Sequence, residues 1–158
     1  MATGAGGDPV MTALDLTQFE FTGVPHRLHK LYSRGPLQIL ARLTPVGWTE
    51  GGPEPEEGAD QYISGFDVIV GDLKVVVESD GTVAFLLPDY HFIAEIKCDT
   101  IDAPGHPGST SDEPHPLQGV PHCNIVMPIR PAHRLGESGI WVDGAKSALY
   151  PGDYVVPG

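Results

Sequence analysis

The sequence predicts an all-β, antiparallel fold: a β-sandwich of the jelly-roll or immunoglobulin-like kind, with a closed antiparallel β-barrel as the alternative. Three observations predict it. About eight to ten short runs alternate apolar and polar residues or are apolar throughout. Turn-forming Gly, Pro and Asp residues punctuate the chain every eight to twelve residues or so, with 20 glycines and 16 prolines among 158 residues. No amphipathic stretch of helix length occurs, and strands do not alternate with helices, which removes parallel α/β folds. The sandwich is preferred because two long, irregular loops do not suit the even hairpins of a small barrel.

The elements follow in order. Residues 1–13 read as a flexible, Gly-rich N-terminal arm ahead of a single domain over 14–158. In residues 16–22 (LTQFEFT), Phe19 and Phe21 share one face, so a strand is expected. Residues 25–34 (PHRLHKLYSR) are ambiguous, because Leu28 and Leu31 are three apart and allow one helical turn. Residues 37–44 (LQILARLT) alternate as a half-buried strand, with Leu37, Ile39, Ala41 and Leu43 on one side. Residues 49–60 form an acidic loop whose five carboxylates repel one another.

Two apolar runs, 62–70 and 73–79, flank Gly71-Asp72, a two-residue hairpin signal. Asp80-Gly81 leads into 82–87 (TVAFLL), and after Pro88-Asp89 the run 90–98 (YHFIAEIKC) alternates again, so a meander is expected. The long Pro- and Gly-rich loop 99–122 precedes a strand at 123–129 (CNIVMPI). Residues 139–143 and 145–150 read as a last hairpin on Asp143-Gly144, and 153–156 as a closing strand.

Charge narrows the function classes. The formal net charge is -12 and the pI about 4.7. Such a chain repels phosphate backbones and anionic lipid, so neither nucleic acid nor membrane is an expected partner. Residues 1–11 (MATGAGGDPVM) lack the cations and apolar run of a secretory signal, so cytoplasmic synthesis is expected.

Cys98 and Cys123 flank the long loop at strand edges. If those strands pair, a disulfide closes a loop worth roughly 3.5 kcal/mol in the chain-entropy model. The alternative is two buried free thiols, as suits a cytosolic protein. With no CxxC, a cysteine zinc site is not expected.

His106, His115 and His122 are the weak candidates for metal ligation, with Asp102, Asp112 and Glu113 nearby. Nothing in their spacing forces three ligands together, and no metal or cofactor is expected. His26 and His29 form an HxxH pair that shares a face only on a helix. Histidines beside so many carboxylates could also alter loop order with pH. Ser109 and Ser111 lie near Asp112 and His115, but a flexible loop lacks the rigidity a catalytic triad needs. His122 and Cys123 are adjacent, and on a strand they point to opposite faces. Asp67 interrupts an apolar run and reads as a satisfied or outward-facing carboxylate.

These readings lean away from an enzyme. They point to a structural or assembly subunit, whose arm and long loops contact other protein subunits in a homo-oligomer or larger assembly. β-Sandwich subunits with extended arms recur in virus and phage particles, so a virion component is the analogous expectation. The alternative is a small-molecule binder or enzyme with a pocket beneath the 99–122 loop. Phe85, Tyr90, His91, Phe92, Glu95 and Trp141 would line that pocket.

Overall fold

Apolar alternation organises the described residues into ten strands and two antiparallel sheets. The computed structural model describes residues 2–5, 10–45, 60–78, 81–87, 92–100, 121–128 and 136–157. The first sheet has six strands: β1 (Ala2–Ala5), β2 (Val10–Thr12), β3 (Gln18–Glu20), β8 (Gly81–Leu87), β9 (Phe92–Thr100) and β10 (Pro121–Pro128). Their spatial order is β3-β2-β1-β10-β9-β8. The second has four: β4 (Leu28–Arg34), β5 (Leu37–Pro45), β6 (Gln61–Val70) and β7 (Leu73–Val77), in order β4-β5-β6-β7. Both sheets end in edge strands, so neither closes on itself and the barrel alternative is set aside.

One core draws on both sheets. Leu37, Ile39, Ala41, Leu43, Ile63, Phe66 and Val68 come from the four-stranded sheet, and Ala94, Ile96, Cys98, Cys123 and Ile125 from the six-stranded one. The alternation of β5 and β9 is therefore the imprint of a shared apolar interior.

Residues 1–13, expected as an arm, supply β1 and β2 to the six-stranded sheet. β1 pairs with β10 on one side and β2 on the other. The signal was a short alternation: Met11 and Ala13 are buried, whereas Val10 is exposed.

The ambiguous segment 25–34 is strand β4, not a helical turn. Its ladder to β5 slips between Lys30 and Tyr32. Leu31 is the extra residue of this bulge, so Leu31 and Tyr32 are both fully buried. The bulge resets the phase of alternation so that consecutive Leu31 and Tyr32 join the core, whereas Leu28 is half-buried with Lys30 and forms no common face with Leu31.

The expected meander breaks after β7. β6 and β7 form the hairpin over Gly71-Asp72, and β8 pairs with β9. Between Val77 and Gly81 the chain passes from one sheet to the other instead of folding back.

The C-terminal hairpin expected over 139–150 is replaced by helical turns. α1 spans Ile140–Asp143, and 3-10 turns follow at Gly144–Leu149 and Pro151–Tyr154. Ile140 and Trp141 are consecutive and both fully buried. A strand would send them to opposite faces, whereas a helical turn keeps both toward the core. The closing strand expected at 153–156 is reduced to one bridge, Val155 to His29.

Candidate functional site

The four-stranded sheet has two edges, and they differ in chemistry. Along β4 the free backbone is taken up by the C-terminal segment. Ser33 and Ser138 exchange two backbone hydrogen bonds, of 2.8 and 3.0 Å, and the Val156 N–H donates to the Leu28 carbonyl at 2.9 Å. Trp141 is fully buried, 6.4 Å ring to ring from Tyr32. The Tyr32 hydroxyl donates to Glu137 Oε2 at 2.5 Å. Gly139 makes this approach possible: at φ 119, a Cβ there would lie 2.5 Å from the Leu31 carbonyl oxygen.

A buried polar network pins the chain entering β4. Gln61 clamps the Gly23 backbone twice, its Nε2 donating to the carbonyl at 2.8 Å and its Oε1 accepting the N–H at 2.9 Å. His29 completes the network. Its Nδ1 donates to the Arg27 carbonyl and its Nε2 accepts the Val24 N–H, both at 3.0 Å. These bonds select the neutral imidazole with the proton on Nδ1. Burial pushes its pKa below the ordinary 6.5. Both ring nitrogens are engaged, so this histidine has no lone pair to give a metal.

The β7 edge carries no such cover among the described residues. No described strand pairs with its outer side. Leu73 is 64% exposed, Val75 41% and Val76 48%. Val77, at the far end, is buried. On one face of the sheet Lys74 reaches back to Asp67 Oδ2 at 3.4 Å, and Glu78, just beyond β7, lies 3.7 Å from Arg42. Asp67 is thus a buried carboxylate with a cationic partner, and its ladder partner on β7 is Val76.

On the six-stranded sheet, Cys98 and Cys123 occupy one rung of the β9–β10 ladder and form a disulfide, with both residues buried. The bond spans 25 residues of chain and stands at the base of the long loop.

The remaining candidates are scattered. Trp141 is a core residue over β4, whereas Glu95 is exposed on β9. Glu95 alternates with the buried Ala94 and Ile96, so it faces away from the interior that holds Trp141. Phe85 and Phe92 are backbone positions on β8 and β9, and Phe85 is the ladder partner of Ala94. His122 lies on β10, opposite Asp99. Tyr90, His91, Asp102, His106, Ser109, Ser111, Asp112, Glu113 and His115 lie outside the described residues, as does most of the 49–60 loop. Of the HxxH pair, His26 sits in a turn at φ 66 and His29 on β4. Among the described residues, no group of three or more His, Cys, Asp or Glu could hold a metal ion. None of the described helices is long and apolar enough to cross a membrane.

Sequence reasoning missed the clamp of Gln61 and His29 on residues 23–27. Its partners are 38 residues apart in the case of Gln61 and Gly23, and no local pattern announces such a pairing. Comparisons with protein-family models, curated proteins and solved structures find no match.

Proposed function

We propose that this chain is a non-catalytic structural subunit, an antiparallel β-sandwich that works by contacting other protein subunits in a homo-oligomer or larger particle. The observation that carries the reading is the β7 edge, where a backbone edge with no described partner strand coincides with exposed Leu73, Val75 and Val76. Folded proteins ordinarily blunt such an edge with charge, proline, a bulge or a covering segment, because it templates pairing with another chain. The opposite edge of the same sheet is covered by the chain's own C-terminal segment.

The sandwich itself is supported by the interior shared between the sheets and by the approach of the Cys98 sulfur to the Val77 carbonyl, 4.0 Å, from one sheet to the other. The N-terminal segment enters the reading differently from a free arm. Its β1 lies inside the sheet, so the contacts expected of an arm fall to the exposed edge.

The test is solution mass by light scattering after size exclusion at neutral pH, across a range of concentrations, with and without a chelator. A mass that is a multiple of 16.8 kDa, unchanged by chelator, is expected. A monomer at every concentration would overturn the reading and favour a small-molecule binder. Dissociation on chelation would point to metal-bridged histidines instead.

A further inference from the structure

Resting on that reading, we infer that the occupant of the β7 edge is β7 of a second copy of this chain, paired antiparallel about a two-fold axis through Val76. Charge and register argue for this arrangement together. The chain carries 21 carboxylates against nine Lys and Arg, so most of its surface repels a second copy. β7 is an exception, because Leu73–Val77 (LKVVV) contains one lysine and no carboxylate.

The register follows from parity. In a continuous sheet, a two-fold axis normal to the sheet opposes residues that point to the same face, so odd numbers meet odd and even meet even. Centred on Lys74, the pairing would set lysine against lysine. Centred on Val75, it would set Asp72 against Glu78 of the second copy, twice. Centred on Val76, it sets Val76 against itself, Val75 against Val77, and Lys74 against Glu78 of the second copy, twice. Of the three, this last register alone puts opposite charges face to face, where like charges directly opposed destabilise a sheet. Centred on Leu73, the pairing would also oppose Asp72 and Lys74, but it would run Val76 and Val77 past the hairpin turn at Gly71-Asp72 and leave them unpaired.

The surrounding residues extend the match. Glu78 sits beside Gly65, whose added Cβ would lie 3.2 Å from the Glu78 Cβ, so the chain continues in ladder position one residue past β7. Within one copy Arg42 meets Glu78 and Lys74 meets Asp67. The dimer joins these pairs across the axis into alternating rows on one face of an eight-stranded sheet. Exposed Val75 and Val76 are covered on both faces at the same time.

Cysteine scanning tests the axis. Val76→Cys is expected to give a covalent homodimer on a non-reducing gel under mild oxidation, because the two copies of residue 76 are direct cross-strand neighbours. Val75→Cys, on the other face and opposed to Val77, is expected to remain monomeric on the gel. Charge reversal tests the register, with dimer dissociation followed by sedimentation and folding by circular dichroism. Lys74→Glu and Glu78→Lys should each weaken dimerisation by about tenfold or more, and the double variant should recover most of the loss. An oligomer in which Val76→Cys fails to cross-link overturns the β7 pairing and leaves the assembly reading standing on another edge. Cross-linking without recovery in the double variant overturns the register. A wild-type chain that stays monomeric overturns both.

Discussion

Along β4 the four-stranded sheet ends under a cover, and along β7 it ends with no partner among the described strands. The cover over β4 is built from α1, the 3-10 turns and the buried Trp141, with Gln61 and His29 holding the entering chain. At β7, apolar side chains are exposed and the backbone edge lacks a described partner. Both edges belong to one sheet with one hydrogen-bonding chemistry. The difference is therefore where the chain places its remaining residues: the covered β4 edge is part of the fold, and the β7 edge is the one the proposed contact would use.

Substitutions can break that contrast, beginning with the largest expected effect. Trp141→Ala removes the largest buried side chain over β4 and should cost about 3–5 kcal/mol in denaturant unfolding. A cost below 1 kcal/mol or so would mean the cover is not structural. The disulfide gives a reference outside both edges: reducing Cys98–Cys123 should cost roughly 3.5 kcal/mol if the 25-residue span acts through loop-closure entropy. An unchanged Tm in reductant would argue against that account.

Next comes Gly23→Ala. The added Cβ would sit 2.5 Å from His29 Nε2 and 2.6 Å from Leu43 Cδ1, so about 1–3 kcal/mol of destabilisation is expected. The smallest effect belongs to the other edge. Val76→Thr should change monomer stability by no more than about 0.5 kcal/mol when unfolding is measured at low protein concentration. A large loss there would mean that β7 already serves the fold.

Titration sharpens the same comparison, because two of the three perturbed groups, His29 and Tyr154, lie on the sealed side, and the third, Tyr62, is on β6. His29 is held below its ordinary 6.5 by burial. Its contribution is fully present above 6.5 and is lost as pH falls from there toward its folded pKa, because the unfolded chain takes up the proton first. His29→Gln should flatten the pH dependence of Tm just below 6.5. Tyr62 is pushed up to about 12 by burial, and Tyr154 is pushed up by burial and by its bond to Asp143. Their contribution is present below pH 10 and lost as pH rises beyond it. A Tm flat between pH 10 and 11 would count against both assignments.

Much of the fold was legible because burial on one face writes itself as period two. The runs that became β5 and β9 show it, and the continuous apolar runs of β6 and β7 are joined by Gly71-Asp72, which marks their shortest turn. Less was legible where two rules compete. The three-residue spacing of Leu28 and Leu31 resembled a helical turn although the segment is a bulged strand, and Asp143-Gly144 resembled a hairpin although adjacent Ile140 and Trp141 are both buried. The candidate site was less legible still. An exposed LKVVV strand reads like any buried apolar strand until its neighbours are known.

The sequence by itself determined the all-β class, the Gly71-Asp72 turn, the acidic charge balance and the placing of two cysteines at the ends of one loop, because each follows from local propensity or composition. The tertiary structure decided the rest. It inserted β1 beside β10, put Cys98 and Cys123 on one rung, brought Gln61 to Gly23 and chose which sheet edge to cover. Those outcomes depend on pairings between distant residues, which are selected by the packing of the whole interior and leave no mark in any short window of sequence.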